Sequence, residues 1–70
     1  MPKLYSSKWI AKVLENKGFI FISRKGSHMK FRKTGNPTLT TIVPFGKEIP
    51  YGTFKSILRQ SRSSEEDFQK

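Results

Sequence analysis

Residues 28 to 33, His28-Met29-Lys30-Phe31-Arg32-Lys33, alternate polar and apolar side chains between two turn clusters, Arg24-Lys25-Gly26-Ser27 before and Thr34-Gly35-Asn36-Pro37 after. A period of two marks a β-strand with one buried face. It also assigns sides: Met29 and Phe31 belong to the core, and His28, Lys30 and Arg32 to the opposite face. The neighbouring segments supply its partners. Phe19-Ile20-Phe21-Ile22 is a short β-rich run joined to it through the first turn cluster, which predicts a hairpin with Gly26 as the turn residue of positive φ. Leu39-Thr40-Thr41-Ile42-Val43 is rich in β-branched residues and ends at Pro44, which predicts a third antiparallel strand.

Helical spacing brackets the strands. Ser6 or Ser7 offers an N-cap, Ile10, Val13 and Leu14 fall at i, i+3 and i+4, and Gly18 follows as a stop, so residues 7 to 17 read as an amphipathic helix. Pro50 suits a first turn, and Phe54, Ile57 and Leu58 repeat the spacing to about Gln60, a second helix. Ser63-Ser64-Glu65-Glu66-Asp67 resembles a capping box with Phe68 as its one apolar anchor, which predicts a short terminal helix that docks weakly. The result is an α+β fold of order αβββα, a three-stranded antiparallel sheet with two helices on one face and the other face open to solvent.

A chain of 70 residues without cysteine has room for one domain, residues 1 to 70, held by packing alone. Its 6 Phe, 2 Tyr and 1 Trp exclude a basic disordered tail. Phe19, Phe21, Phe31 and Phe54 fit the core, whereas periodicity leaves Tyr5, Trp9, Phe45 and Tyr51 undecided between packing and an interface. No apolar run reaches the roughly 20 residues of a membrane span, and Met1-Pro2-Lys3-Leu4-Tyr5 lacks the apolar core of a secretory signal. A cytoplasmic protein with no membrane association is expected.

The net charge is +9, and it is unevenly placed: residues 1 to 47 hold ten basic side chains and one acid, Glu15, while residues 48 to 70 hold four of each. Arg24, Lys25, Lys30, Arg32 and Lys33 crowd one acid-free stretch, which repels itself unless an anionic partner is present. Nucleic acid is the usual partner for such a surface.

His28 is the only histidine. A lone histidine is most often a surface or satisfied core residue, but strand parity removes the core version here. RNA cleavage requires a base for the ribose 2′-hydroxyl and cations for the phosphate. His28 as base, with Lys25, Lys30 and Arg32 as RNA-binding residues, supplies both, and Ser27 joins the candidate RNA-binding set beside the turn glycine, Gly26. Ser27, a lysine, water or His28 itself are the candidates for protonating the leaving 5′ oxygen. A Ser27–His28 nucleophile pair is geometrically poor, since adjacent strand residues point apart. There is no phosphate loop, zinc spacing or EF-hand pattern, and no carboxylate pair near His28, so neither metal nor cofactor is expected.

Gly18-Phe19 closing the first helix, the Gly26-Ser27-His28 tripeptide opening the second strand, Pro44 after the third, then Gly46-Lys47-Glu48-Ile49 and Gly52-Thr53-Phe54-Lys55-Ser56-Ile57-Leu58-Arg59-Gln60, together resemble the HicA toxins. The similarity runs from about Ser6 to Phe68. It implies a double-stranded-RNA-binding-domain-like fold, mRNA interferase (endoribonuclease) activity with the tripeptide's histidine, His28, as catalytic residue, and inhibition by a HicB antitoxin. Family members often carry a further histidine after the third strand, where this chain has Phe45-Gly46, and that departure leaves His28 as the sole candidate base. Three function classes therefore stand: a metal-independent ribonuclease toxin, a non-catalytic RNA-binding module of the same fold, and a basic protein-interaction domain. RNA that is bound but left intact would favour the second. A neighbouring reading frame encoding a HicB-like protein would favour the first or the third.

Overall fold

The computed structural model describes residues 3–69. Residues 1 and 2, part of the stretch read above for a secretory signal, lie outside them. The elements follow in the order α1 (Ser7–Asn16), β1 (Ile20–Lys25), β2 (His28–Lys33), β3 (Leu39–Pro44) and α2 (Tyr51–Ser61), closed by a terminal 3-10 helix (Glu65–Phe68). The sheet is antiparallel in the order β1-β2-β3. This is the αβββα arrangement of a double-stranded-RNA-binding-domain-like fold.

Each boundary has a local cause. The Ser6 hydroxyl accepts the Trp9 backbone N–H at 3.1 Å and starts α1. Lys17 caps its C-terminus, and Gly18 then turns the chain at φ 102°, beyond the reach of most side chains. β1 is longer than its apolar run: Arg24 and Lys25 continue the strand, and only Gly26, at φ 60°, and Ser27 form the turn. Pro50 enters α2 without a side-chain cap, and Arg62 ends it in the left-handed conformation at φ 53°.

The core takes Ile10, Val13 and Leu14 from α1, Met29 and Phe31 from β2, Val43 from β3, and Phe54, Ile57 and Leu58 from α2, with Tyr5, Phe19, Ile49 and Phe68. α2 packs chiefly against β3, and α1 against β3 and β1. That offset overturns one expectation. Phe21 pairs with Phe31 and shares its face, yet it is 50% exposed, because β1 is an edge strand and α2, which packs on β3 at the opposite edge, does not cover it. A bulge between Phe21 and Ser23 further shifts the strand.

The terminal segment is likewise bound more firmly than its one apolar residue suggests. Phe68 is completely buried, 5.2 Å from the Phe54 ring and edge-on to it. The Trp9 indole N–H donates to the Phe68 carbonyl at 2.9 Å, the Tyr51 hydroxyl donates to Glu65, and Lys17 pairs with Asp67 at 2.9 Å. The capping box of Ser64 and Asp67 is present. Docking is therefore tight, through polar contacts whose partners lie far away in sequence. No helix among the described residues is long and apolar enough to cross a membrane.

Candidate functional site

Strand register builds the open face. His28 stands between Lys25 of β1 and Pro44 of β3, Lys30 between Ser23 and Ile42, and Arg32 between Ile20 and Thr40. Cross-strand neighbours share a face, so Lys25, His28, Lys30 and Arg32 form one stripe across the sheet. His28 and Lys25 are exposed, Lys30 and Arg32 half-buried, and the intervening Met29 and Phe31 are buried, as parity requires.

The five-cation cluster of the sequence divides three ways. Lys25, Lys30 and Arg32 stay on the open face. The Arg24 guanidinium lies 4.1 Å from the centre of the Phe45 ring, with its Nε donating to the Gly26 carbonyl at 3.0 Å. The Lys33 stem runs beside Gly18, on the other side of the sheet. Among the described residues the one ion pair is Lys17–Asp67, so the three cations of the open face have no carboxylate partner. Such a stripe attracts an external anion, phosphate above all.

Two shallow grooves meet at His28. The first, of about 560 Å³, is lined by Ser23, Lys25, His28, Lys30 and Ile42. The second, of about 490 Å³, runs along β3 to α2, with Pro44, Phe45, Glu48, Thr53, Ser56 and Gln60 among its walls. Lys25 and Lys30 thus converge with His28 in the first groove. Arg32 lies farther along the stripe and lines neither. Ser27 also lines neither: it sits in the hairpin turn, where its carbonyl accepts the Phe45 N–H at 2.7 Å. Gly26 takes the positive φ expected of it, with open space around its α-carbon.

That Phe45 bond and a second anchor hold the walls in place. Buried Ser7 receives the Gly46 N–H at 3.1 Å and donates its own hydroxyl and backbone N–H to the Gly46 carbonyl. The loop after β3 is thereby fixed to the start of α1. Sequence reasoning missed the second groove's residues because β3, its loop and α2 come together only in the folded chain. The one available signal was Thr53, Ser56 and Gln60, whose spacing of three and four places polar groups on one helical face.

Chemically the site offers an exposed imidazole, unpaired cations on one side and neutral hydrogen-bonding groups on the other. Among the described residues no three His, Asp or Glu side chains converge as metal ligands.

No curated protein matches the chain in sequence. A family model described as the HicA toxin of bacterial toxin–antitoxin systems matches residues 7–62, from the first residue of α1 to the C-cap of α2. That span takes in the whole sheet, the Gly26-Ser27-His28 turn and both long helices, so the chain belongs to the HicA family, the toxins of bacterial toxin–antitoxin systems.

Proposed function

We propose that the chain is an mRNA interferase, a cytoplasmic endoribonuclease that cleaves single-stranded RNA without a metal ion. The observation that carries this reading is the exposed His28 on a stripe of unpaired cations, in a strand whose alternate residues are buried. His28 removes the proton of a ribose 2′-hydroxyl. The 2′ oxygen then attacks the adjacent phosphorus to close a 2′,3′-cyclic phosphate, and the 5′ oxygen leaves as a hydroxyl, taking its proton from water or from the imidazolium of His28. Lys25 and Lys30 hold the phosphate and offset charge growing on its oxygens, and Arg32 binds the phosphate of a neighbouring nucleotide. Ser27 acts through its backbone, as the turn that presents His28.

The partner is a HicB-type antitoxin that covers the same face. An acidic surface on it would compete with RNA for Lys30 and Arg32. The test compares wild type with His28→Ala and His28→Gln for growth inhibition on induction and for RNA cleavage in EDTA. Both variants should lose both activities while keeping the wild-type far-UV CD spectrum and melting temperature. Full cleavage by a folded variant would overturn the assignment of His28. RNA binding without cleavage by the wild type would favour a non-catalytic RNA-binding module.

A further inference from the structure

We infer that the groove between β3 and α2 is a nucleobase-binding site, in which Gln60 reads one base of the RNA strand beside the scissile phosphate. The inference rests on the ribonuclease reading, because continuity through His28 is what places RNA at the groove.

The two grooves that meet at His28 differ in chemistry. One presents Lys25 and Lys30. The other presents no cation, and its one charged wall residue is the acid Glu48. A phosphate is repelled from the second and drawn to the first. The second offers instead an apolar floor of Ile42, Pro44 and Ile49 and the hydroxyls of Thr53 and Ser56. A flat heteroaromatic ring with polar edges matches that combination, as in single-stranded RNA recognition, where the base is splayed from its backbone and read along its edge.

Gln60 gives the groove direction. Its side-chain oxygen accepts the Ile42 backbone N–H at 3.2 Å and the buried Thr41 hydroxyl at 2.8 Å. A backbone N–H can only donate, so the amide orientation is set: oxygen toward β3, NH₂ group away from it. Among the described residues that NH₂ has no acceptor, and it is held without needing to reorganise when a base carbonyl or ring nitrogen arrives. Preorganised donors are what convert a contact into selectivity.

The experiment follows ¹⁵N-labelled wild-type protein as it is titrated with uncleavable 2′-fluoro trinucleotides, with bases or with an abasic central residue. With bases present, the Gln60 side-chain NH₂ and the Thr53 amide signals should shift along with those of Lys25 and Lys30. The abasic ligand should move only Lys25 and Lys30. Gln60→Glu keeps both acceptor contacts to β3 but loses the donors; the abasic ligand reports the effect of the added charge alone, and beyond that the base-bearing ligand should lose a further factor of about five to ten. Shifts confined to Lys25 and Lys30 with every ligand, or a Gln60→Glu loss no larger for the base-bearing ligand than for the abasic one, would overturn the base site alone. No shift at either groove would overturn the RNA reading and the base site together.

Discussion

Truncating Phe68 to alanine probes how far the working domain extends beyond the residues that match the family. The matched region ends at residue 62, yet Phe68 is completely buried, with its ring 5.2 Å from Phe54 and 6.4 Å from Tyr5. Deleting a buried phenylalanine side chain costs about 3–5 kcal/mol. The lower end applies here, because the terminal turn can swing away and admit water in place of a cavity. For 70 residues the total stability is about 4–10 kcal/mol, so the change removes a third or more of it. At about 4–8 °C per kcal/mol, Phe68→Ala should lower the melting temperature by more than about 10 °C. Urea melts followed by Trp9 fluorescence and far-UV CD read both quantities, and Trp9 doubles as a local probe because its indole N–H donates to the Phe68 carbonyl. A loss below about 1 kcal/mol would refute the claim that this segment belongs to the core.

The neighbouring Lys17–Asp67 pair makes docking sensitive to acid. The Ser64 backbone N–H, and then Lys17, hold the Asp67 carboxyl below its ordinary range. A depressed pKa contributes stability present above the unfolded value and lost as pH falls through the folded one, so Trp9 emission should change below about pH 4 in wild type and much less in Asp67→Asn. Gly26 has open space around it but a φ of 60°, so Gly26→Ala should cost about 1 kcal/mol from backbone strain alone and Gly26→Asn less, measured by urea melts. RNA binding by His28→Ala should fall with salt at a log–log slope near about −2 for three neutralised phosphates of a single strand, and Lys30→Ala should flatten it by about 0.7. A slope near zero would contradict an electrostatic stripe.

The fold was legible in the sequence because local rules point the same way at each element. The Ser6 cap, Gly18, Gly26 and the parity of Met29 and Phe31 each act within a few residues, and the structure keeps all of them. Parity also put His28, Lys30 and Arg32 on the face opposite Met29 and Phe31, where the register has them, whereas Lys25 joins that face through β1, beyond the apolar run that marked the strand. What depends on which strand the helices cover was not legible: Phe21 has the parity of a core residue, and the placement of α2 on β3 leaves it exposed. The terminal turn was underestimated for a related reason, since Trp9, Lys17 and Tyr51, the residues that hold it, precede it by 14 to 59 positions. The second groove belongs to the same class. Gln60 looks like an ordinary exposed helix residue until α2 is laid along the edge of β3, and Phe45 until Arg24 settles on its ring.

If His28 takes the proton of a ribose 2′-hydroxyl, cleavage needs that hydroxyl as well as the imidazole. Purified protein is given an RNA oligonucleotide with a mapped cleavage site and the same oligonucleotide with a single 2′-deoxyribose on the 5′ side of that site. The all-ribose strand should be cut to a 2′,3′-cyclic phosphate and a 5′-hydroxyl end, the singly deoxy strand should stay intact at that position, and His28→Ala should slow the first reaction about 10²–10⁴-fold. Cleavage of the deoxy position at the wild-type rate would contradict that proton transfer.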